Sequence, residues 1–318
     1  MKILANDGMA TSGVIALEAA GFSVNLTKVP QDQLINYINE HQIDMLLVRS
    51  ATTARKELID ACPSLKLIGR GGVGMDNIDV EYARNKGIKV INTPDASSHS
   101  VAELVFAHLF GMARFLHDSN RNMPLEGDTK FDVLKKAYAG GKELTGKTIG
   151  ILGFGRIGQA TAKIALGNRM KVMAYDPYIK ETDLTLKFFD GQKVTFNIKT
   201  VSKEEVLKNA DFISLHVPKQ KEYVISTDEF NMMKNGVSIV NAARGGVINE
   251  NALIEAIESG KVASAAMDVF ENEPKPPIQL LMHPNLSLTP HIGAATKEAQ
   301  ARIGEELAIQ IIEHFNKK

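Results

Sequence analysis

Three residues in the second half of this sequence have side chains that complement one another in acid–base chemistry: Arg244, Glu273 and His291. A glutamate hydrogen-bonded to a histidine orients the ring and stabilises its protonated form. An arginine offers a bidentate fork to a carboxylate or to a neighbouring carbonyl oxygen. Each residue also has an ordinary alternative: a surface ion pair, a solvated acidic turn and a structural histidine, respectively. Because each follows its own predicted strand, we favour one common acid–base site.

A glycine fingerprint of the G-x-G-x-x-G type lies in the middle of the chain, at Gly153, Gly155 and Gly158. An apolar run precedes it and a helical pattern follows, which is the context that binds a dinucleotide pyrophosphate. Asp176 ends the next predicted strand, 18 residues after Gly158, close to the expected position of a ribose-binding acid. A carboxylate there repels a 2′-phosphate, so the pattern predicts NAD rather than NADP. The alternative for Asp176 is a turn residue at a strand end.

Alternating strands and helices must position these residues. The first half contains five predicted strands: Lys2–Leu4, Ser23–Leu26, Met45–Arg49, Lys66–Ile68 and Lys89–Ile91. The second half contains six: Thr148–Leu152, Lys171–Tyr175, Phe212–His216, Val237–Asn241, Ala263–Met267 and Ser287–Thr289. Such alternation predicts an α/β fold with two parallel sheets, in each of which right-handed crossovers connect the strands. In parallel sheets, ligands bind at the carboxyl ends of the strands.

Four other segments carry local signals. Ser100 and Glu103 form a capping box, which predicts the start of a long helix. Residues 118–147 are polar and predict a loop, whereas residues 185–198 predict an inserted β-hairpin around Asp190-Gly191. Residues 296–315 predict an amphipathic helix. Its expected buried positions are Ile303, Leu307, Ile311 and Ile312.

Composition limits the class of protein. The chain has 318 residues, enough for two domains, and 37 basic residues balance 37 acidic ones, so no nucleic-acid or membrane partner is predicted. Cys62 is the single cysteine, which leaves no intramolecular disulfide. The sequence has no metal-binding cysteine or histidine motif, signal peptide or membrane span, and we expect a cytoplasmic enzyme without a metal.

Eight strings of the sequence carry a family resemblance: V-R-S-A-T at Val48–Thr52, G-R-G-G-V-G-M-D-N-I-D at Gly69–Asp79, N-T-P at Asn92–Pro94, S-V-A-E at Ser100–Glu103, L-T-G-K-T-I-G-I-L-G-F-G-R-I-G at Leu144–Gly158, N-A-A-R-G-G at Asn241–Gly246, D-V-F-E-N-E-P at Asp268–Pro274 and P-H-I-G-A-A-T-K-E-A-Q at Pro290–Gln300. Through them the chain resembles the D-isomer-specific 2-hydroxyacid dehydrogenases over essentially its whole length. The resemblance implies two Rossmann-like domains with an active-site cleft between them. Residues 1–96 and 290–318 would form a discontinuous, flavodoxin-like substrate domain, and residues 97–289 the NAD-binding domain.

The resemblance also implies roles for individual residues. Arg244, Glu273 and His291 match the catalytic trio. The substrate would contact Arg49, Ser50, Val73, Gly74, Arg244 and His291. NAD would contact Gly153, Gly155, Arg156, Ile157, Gly158, Asp176, His216, Val217, Pro218, Ala242, Ala243, Arg244, Asp268, His291, Gly293 and Ala294. Members of the family usually dimerise through the NAD domain.

The segment Pro290–Gln300 is particularly like that of members that oxidise 3-phospho-D-glycerate to 3-phosphooxypyruvate, the first step of phosphorylated serine biosynthesis. Arg49 is the best candidate for the substrate phosphate, ahead of Lys135 and Lys136. Alternatives are a dehydrogenase for glyoxylate, hydroxypyruvate or D-lactate, and an NAD(H)-sensing scaffold like the family's corepressors. The sequence ends at Lys318, so no C-terminal regulatory domain is expected. The predicted hairpin is longer than the usual connection and could shape the adenine edge or a subunit contact.

Overall fold

The computed structural model describes residues 1–316, and these form two compact units. The first unit contains Met1–Ser100 and the residues from Ala294 onward, and the second contains Val101–Gly293. Both boundaries lie four residues beyond those expected from the sequence. No helix within residues 1–316 combines the length and the apolar character needed to cross a membrane.

Thirteen strands and thirteen helices are defined in the described residues. The strands are β1 (Lys2–Ala5), β2 (Ser23–Asn25), β3 (Met45–Val48), β4 (Leu67–Arg70), β5 (Lys89–Asn92), β6 (Thr148–Leu152), β7 (Lys171–Tyr175), β8 (Glu181–Lys187), β9 (Lys193–Lys199), β10 (Phe212–Leu215), β11 (Val237–Asn241), β12 (Val262–Met267) and β13 (Leu286–Leu288). The helices are α1 (Thr11–Ala19), α2 (Leu34–His41), α3 (Lys56–Ala61), α4 (Val80–Asn85), α5 (Ser98–Ala113), α6 (Leu116–Glu126), α7 (Phe131–Ala137), α8 (Arg156–Gly167), α9 (Lys203–Asn209), α10 (Thr227–Met232), α11 (Glu250–Glu258), α12 (Ile278–Leu281) and α13 (Lys297–Asn316).

The first unit is built on a five-stranded parallel sheet in the order β2-β1-β3-β4-β5. Strand β3 is central and all four of its residues are buried, as expected for a strand covered on both faces. Helix α13 packs on α1, where Gly13 and Gly304 approach so closely that a Cβ at Gly13 would lie 2.6 Å from the Gly304 carbonyl. The predicted C-terminal helix is therefore confirmed, although Ile312 is only half-buried.

The second unit is built on a six-stranded parallel sheet in the order β13-β12-β11-β10-β6-β7. After β6 the chain adds β7 on one side, and it later returns to add β10 on the other. This reversal of strand order next to β6 is the switch point at which α/β sheets bind ligands. The α/β class and the two parallel sheets expected from the sequence are confirmed.

Two local predictions were wrong. Helix α5 begins at Ser98, so Ser100 lies inside the helix and is not its cap. The Ser100 hydroxyl instead forms a hydrogen bond with the Thr296 hydroxyl at 2.8 Å, a contact across 196 residues that a local motif cannot reveal.

Residues 118–147, predicted to be a loop, contain most of α6 and all of α7. No residue of α6 is buried, so the helix has no apolar stripe for the sequence to show. Polar contacts fix it instead: the Tyr138 hydroxyl donates to Asp118 at 2.7 Å and accepts from the Asn122 amide at 2.8 Å.

The predicted hairpin is confirmed. Strands β8 and β9 pair antiparallel from Glu181↔Lys199 to Lys187↔Lys193. Gly191 closes the turn with φ +87°, a backbone conformation that L side chains rarely adopt.

Candidate active site

The three fingerprint glycines have three different environments. Gly153 turns the chain after β6 at φ +93°, and a Cβ there would lie 2.5 Å from the His216 carbonyl oxygen. Gly158 lies so close to the Gly153 carbonyl that a Cβ would overlap with it, whereas Gly155 faces open space. These are the tight turn, the close helix packing and the open approach that a dinucleotide pyrophosphate requires. Helix α8 begins at Arg156 without an acidic residue in its first turn, so its N-terminus favours an anion.

Asp176 follows β7 and joins the fingerprint loop. Its Oδ2 accepts a hydrogen bond from the Phe154 backbone N–H at 2.8 Å. Its Oδ1 accepts from the N–H groups of Tyr178 at 2.9 Å and Ile179 at 3.1 Å. The carboxylate is thereby fixed beside the turn, and its Oδ2 keeps one lone pair for a further donor.

Replacing Asp176 with alanine is expected to lower the preference for NAD over NADP, measured as the ratio of the two kcat/KM values, by about tenfold or more. The reason is that hydrogen bonds to a charged group contribute about 1.5–3 kcal/mol and that the carboxylate repels a 2′-phosphate. Asp190→Ala, which removes an exposed carboxylate from the hairpin turn, is the control. An unchanged ratio in Asp176→Ala would refute the assigned role.

The residues that follow β10 leave the sheet at the same edge as the fingerprint loop, because β10 pairs parallel with β6. Although His216 is half-buried overall, its Nδ1 is fully buried, and burial lowers the pKa of His216 to about 3. Its Nε2 and the Ser214 hydroxyl form a hydrogen bond at 2.9 Å, so the neutral ring is fixed. Val217 is half-buried and Pro218 exposed, both positions open to a ligand.

The polar residues of the predicted trio follow three adjacent strands. The register places Asn241 of β11 beside Met267 of β12, and Met267 beside Leu288 of β13. The segments that carry Arg244, Glu273 and His291 therefore leave the sheet at the same edge.

Glu273 and His291 form the expected pair. The His291 Nδ1 lies 2.8 Å from the Glu273 Oε2, and both side chains are well exposed, at 42% and 36%. The Glu273 Oε1 accepts from the Phe270 N–H at 2.9 Å, which holds the carboxylate in place. The other ring nitrogen, Nε2, forms no hydrogen bond with any of residues 1–316 and is available to a substrate. His291 has φ +56°, a strained backbone of the kind found at active sites.

Asp268 fixes the loop that carries His291. The carboxylate is 2% exposed. Its Oδ1 accepts from the Thr289 hydroxyl at 2.6 Å and from the Ile292 N–H at 2.8 Å, and its Oδ2 accepts from the Gly293 N–H at 2.9 Å. The sequence indicated only that Asp268 lines the cofactor pocket, and it missed this positioning role.

Glu250 is a second buried carboxylate that the sequence missed. Its Oε1 accepts from the Glu271 N–H at 2.7 Å, and the Glu271 Oε1 accepts from the Glu250 N–H at 3.3 Å. Burial and the neighbouring charges of Glu271 and Glu273 raise the pKa of Glu250. The reciprocal bonds tie the start of α11 to the loop of Glu273; the only sequence signal was an acidic residue in the first turn of a helix.

Arg244 lies in a tight turn after β11. The Asn241 side chain braces the turn, donating to the Arg244 carbonyl at 3.0 Å and accepting from the Ala243 N–H at 3.1 Å. The Arg244 Nη1 donates to the Ala243 carbonyl at 2.6 Å. Gly245 packs so tightly on the Phe270 carbonyl that no Cβ would fit, which explains the glycine after the arginine. Ala242 and Ala243 are buried in the same turn.

In the first unit, Arg49 and Ser50 belong to a loop that is braced on two sides. Asp7 accepts from the Arg49 N–H at 2.6 Å and from the Thr52 hydroxyl at 2.7 Å. The Asn77 amide donates to the carbonyls of Arg49 at 2.7 Å and Thr52 at 2.6 Å. The Arg49 guanidinium has no hydrogen-bond or ion-pair partner within residues 1–316, so the loop presents a half-buried, unpaired cation.

Val73 and Gly74 follow β4, the neighbour of the strand that precedes Arg49. The Asn92 amide donates to the Val73 carbonyl at 2.7 Å, and the Asn77 Oδ1 accepts from the Arg70 Nε at 3.0 Å. The sequence missed Asp7 and Asn77 as braces, although both are polar residues in loops that follow strands of this sheet. Ala294 also belongs to the first unit, whereas the other predicted NAD contacts lie in the second.

Comparisons with known proteins agree with this geometry. The family described as D-isomer specific 2-hydroxyacid dehydrogenase, NAD binding domain, matches residues 106–293. The hydroxypyruvate reductase of Thermotoga maritima is 45% identical over 290 residues, which cover 90% of this chain and 88% of that protein. The D-3-phosphoglycerate dehydrogenase of Methanocaldococcus jannaschii is 41% identical over 314 residues, 98% of this chain but only 57% of that protein.

Among solved structures, a glyoxylate reductase from Paecilomyes thermophila has a TM-score of 0.81 and 30% identity, covering 100% of this chain and 95% of that one. The matched family spans more than half of the chain and includes the fingerprint, Asp176, Arg244 and Glu273. The expected family and the expected cofactor, NAD, are thus confirmed. This chain belongs to the D-isomer-specific 2-hydroxyacid dehydrogenases and is an NAD-dependent oxidoreductase.

Proposed function

We propose that this enzyme oxidises 3-phospho-D-glycerate at C2 to 3-phosphooxypyruvate, the first step of phosphorylated serine biosynthesis. The observation that carries the choice of a phosphorylated substrate is Arg49, whose guanidinium is unpaired on a braced loop. Arginine binds phosphate through a planar fork of donors. The D-3-phosphoglycerate dehydrogenase relatives, which match 98% of the chain, support the same substrate.

In this proposal the catalytic residues are Arg244, Glu273 and His291. In the oxidation, the Nε2 of His291 takes the proton of the C2 hydroxyl. Glu273, bonded to Nδ1, keeps the ring oriented and stabilises its protonated form. Arg244 holds the substrate carboxylate, together with the amides of Val73–Gly74, and polarises the C2 oxygen. NAD supplies the hydride acceptor when bound. In the reverse direction His291 is the acid.

The units divide these tasks. We assign substrate binding to the first unit and NAD binding to the second, whose boundaries lie four residues beyond the division expected from the sequence, 1–96 plus 290–318 and 97–289. The other NAD contacts proposed from the resemblance follow β6, β10 and β11 in the second unit: Ile157, His216, Val217, Pro218, Ala242 and Ala243.

We also propose a homodimer formed through the NAD-binding unit. Helices α6 and α7 support this proposal, because they expose large apolar side chains that would be solvated in a monomer. The most exposed are Leu116, Leu125, Phe131 and Val133. The cytoplasmic location expected from the sequence stays a prediction.

A second candidate reaction is the reduction of hydroxypyruvate. The Thermotoga maritima hydroxypyruvate reductase favours it, because its identity to this chain is 45% and the match covers 88% of its length. The same trio would serve, with His291 donating the proton to the carbonyl oxygen. The two candidates differ in one chemical group, the phosphate on C3.

A substrate panel separates the candidates. The purified protein is assayed with NAD and 3-phospho-D-glycerate while the ketone is trapped, and with NADH and 3-phosphooxypyruvate, hydroxypyruvate, glyoxylate or pyruvate. We expect kcat/KM for the phosphorylated ketone to exceed that for hydroxypyruvate by at least about tenfold, since a charged hydrogen bond contributes about 1.5–3 kcal/mol. A higher kcat/KM for hydroxypyruvate would replace the proposal with the second candidate.

Replacing Arg49 with alanine is expected to lower kcat/KM for the phosphorylated substrate by about 10- to 100-fold, the value of one or more charged hydrogen bonds. The corresponding loss with glycerate or hydroxypyruvate should be much smaller. Arg49→Lys retains the charge without the fork and should fall between. Arg84→Ala, which removes an exposed arginine from the last turn of α4 in the same unit, is the control. Equal losses on phosphorylated and unphosphorylated substrates would show that Arg49 does not bind the phosphate.

A further inference from the structure

The β8–β9 hairpin has one apolar and one polar face. On the apolar face Leu184 is paired with Phe196, and Leu186 with Val194. Leu184 is buried in the core that α8 also lines. Phe196 and Val194, by contrast, are 37% and 44% exposed. The core of the second unit therefore covers only part of this apolar face.

The hydrogen bonds at the two ends of the hairpin define which backbone groups are free. The Phe188 N–H donates to the Gln192 carbonyl at 2.9 Å, and the Thr200 N–H donates to the Lys180 carbonyl at 2.9 Å. Hydrogen-bonded and non-hydrogen-bonded pairs alternate along an antiparallel ladder. The even-numbered residues of β8 therefore direct their backbone N–H and C=O groups toward β9. The odd-numbered residues direct their N–H and C=O groups to the outer edge: Glu181, Asp183, Thr185 and Lys187.

The outer edge of β8 pairs with no strand in residues 1–316, because the sheet of β8 and β9 has two strands. β9 lies on the side of β7, where Thr200 forms a bridge with Ala174, and β8 is the outward strand. Glu181, Asp183 and Lys187 are exposed along it. A seven-residue edge with free donors and acceptors is a template for another strand.

The charges along β8 favour pairing with a second copy of the same strand. If two β8 strands pair antiparallel about a two-fold axis at Leu184, Glu181 of each copy lies opposite Lys187 of the other. The contact therefore contains two pairs of opposite charges. Opposite charges directly across a ladder stabilise the pair. Strand β9 paired with itself about Phe196 would instead place Lys193 opposite Lys199.

We propose that the outer edge of β8 is a self-association site, which pairs antiparallel with β8 of a second copy of this chain. The two hairpins then form a four-stranded sheet in the order β9-β8-β8-β9. A two-fold axis perpendicular to this sheet keeps the apolar faces on the same side. A single edge is small beside a standard interface of about 1,200–2,000 Å², so we expect this contact to be weak when it acts alone.

Charge reversal tests the pairing. Sedimentation velocity at low salt, over a range of protein concentrations, measures association of the wild type, Glu181→Lys, Lys187→Glu and the double variant. Each single variant places two like-charged pairs across the axis and should weaken association by about tenfold. The double variant restores opposite charges and should restore association.

The same variants show whether a loss of association comes from the contact between copies or from a less stable β8–β9 hairpin. Within one chain Glu181 faces Lys199 and Lys187 faces Lys193, so Glu181→Lys removes a favourable pair whereas Lys187→Glu creates one. Association should nevertheless fall in both. Lys193→Glu on β9 is the control and should associate as the wild type does. Single variants that associate like the wild type, or a double variant that stays weakened, would overturn the proposal.

Cysteine cross-linking tests the register. Asp183 of one copy and Thr185 of the other would form a hydrogen-bonded pair, with Cα atoms about 5.5 Å apart, within reach of a disulfide. Oxidation of an equal mixture of Asp183→Cys and Thr185→Cys proteins should give a cross-linked dimer, and neither protein alone should. The native Cys62 is buried, and burial raises its pKa to about 11, which disfavours the thiolate that forms disulfides. No cross-link in the mixture, or a cross-link in either protein alone, would contradict this pairing.

Discussion

Replacing His291 with alanine is expected to lower kcat by about 10²- to 10⁴-fold, the usual contribution of a general acid–base group. The expectation rests on the 2.8 Å contact with Glu273, on the free Nε2 and on the strained backbone that holds the ring in place. KM should change far less, because Arg244 and Arg49 provide the substrate's anion contacts in the proposed site. Steady-state kinetics with the preferred substrate at saturating NAD measure the effect.

Two further variants show whether the loss of kcat is specific to the pair of His291 and Glu273. Glu273→Gln removes the charge beside the imidazole and should also lower kcat, but by less than His291→Ala does. His314→Ala removes an exposed histidine from α13 and should leave kcat unchanged. Because the His291 side chain is 42% exposed, the melting temperature of His291→Ala should remain close to that of the wild type. Near-normal turnover in His291→Ala would refute its catalytic role.

The sequence predicted best the strands whose apolar runs are bounded by clear turn residues. Strands β6, β7 and β11 were predicted to the residue, because their apolar runs end at turn residues such as Gly153. The fingerprint was equally informative, because two of its three glycines are required by the backbone: Gly158 has no room for a Cβ, and Gly153 has a positive φ.

The sequence predicted worst those features that depend on distant polar partners. Helix α6 lacks a buried residue and depends on the Tyr138 hydroxyl. Asp268 hydrogen-bonds to Gly293, 25 residues away, and Asn77 reaches Arg49 across 28 residues. Such pairs have no periodicity or local motif, since only the folded sheet edge brings them together.

Replacing Asp268 with alanine is expected to lower both stability and turnover. The buried carboxylate accepts three hydrogen bonds from the His291 loop. A buried donor left without its acceptor costs about 1–3 kcal/mol, and the Gly293 N–H is buried. Summed over the three bonds we expect about 2–4 kcal/mol, or roughly 5–15 °C in the melting temperature of a unit of this size.

The effect on catalysis separates positioning of His291 from binding of the cofactor. If Asp268 acts by holding the His291 loop, kcat at saturating NAD should fall by about tenfold or more, because the ring no longer keeps its geometry with Glu273. If Asp268 only lines the cofactor pocket, KM for NAD should rise while kcat stays constant. Asp268→Asn retains one carbonyl acceptor and should recover part of the stability, and Asp32→Ala, at an exposed aspartate, is the control. A melting temperature and a kcat equal to those of the wild type in Asp268→Ala would show that the three bonds do not hold the loop, and the strained φ of His291 would then need another cause.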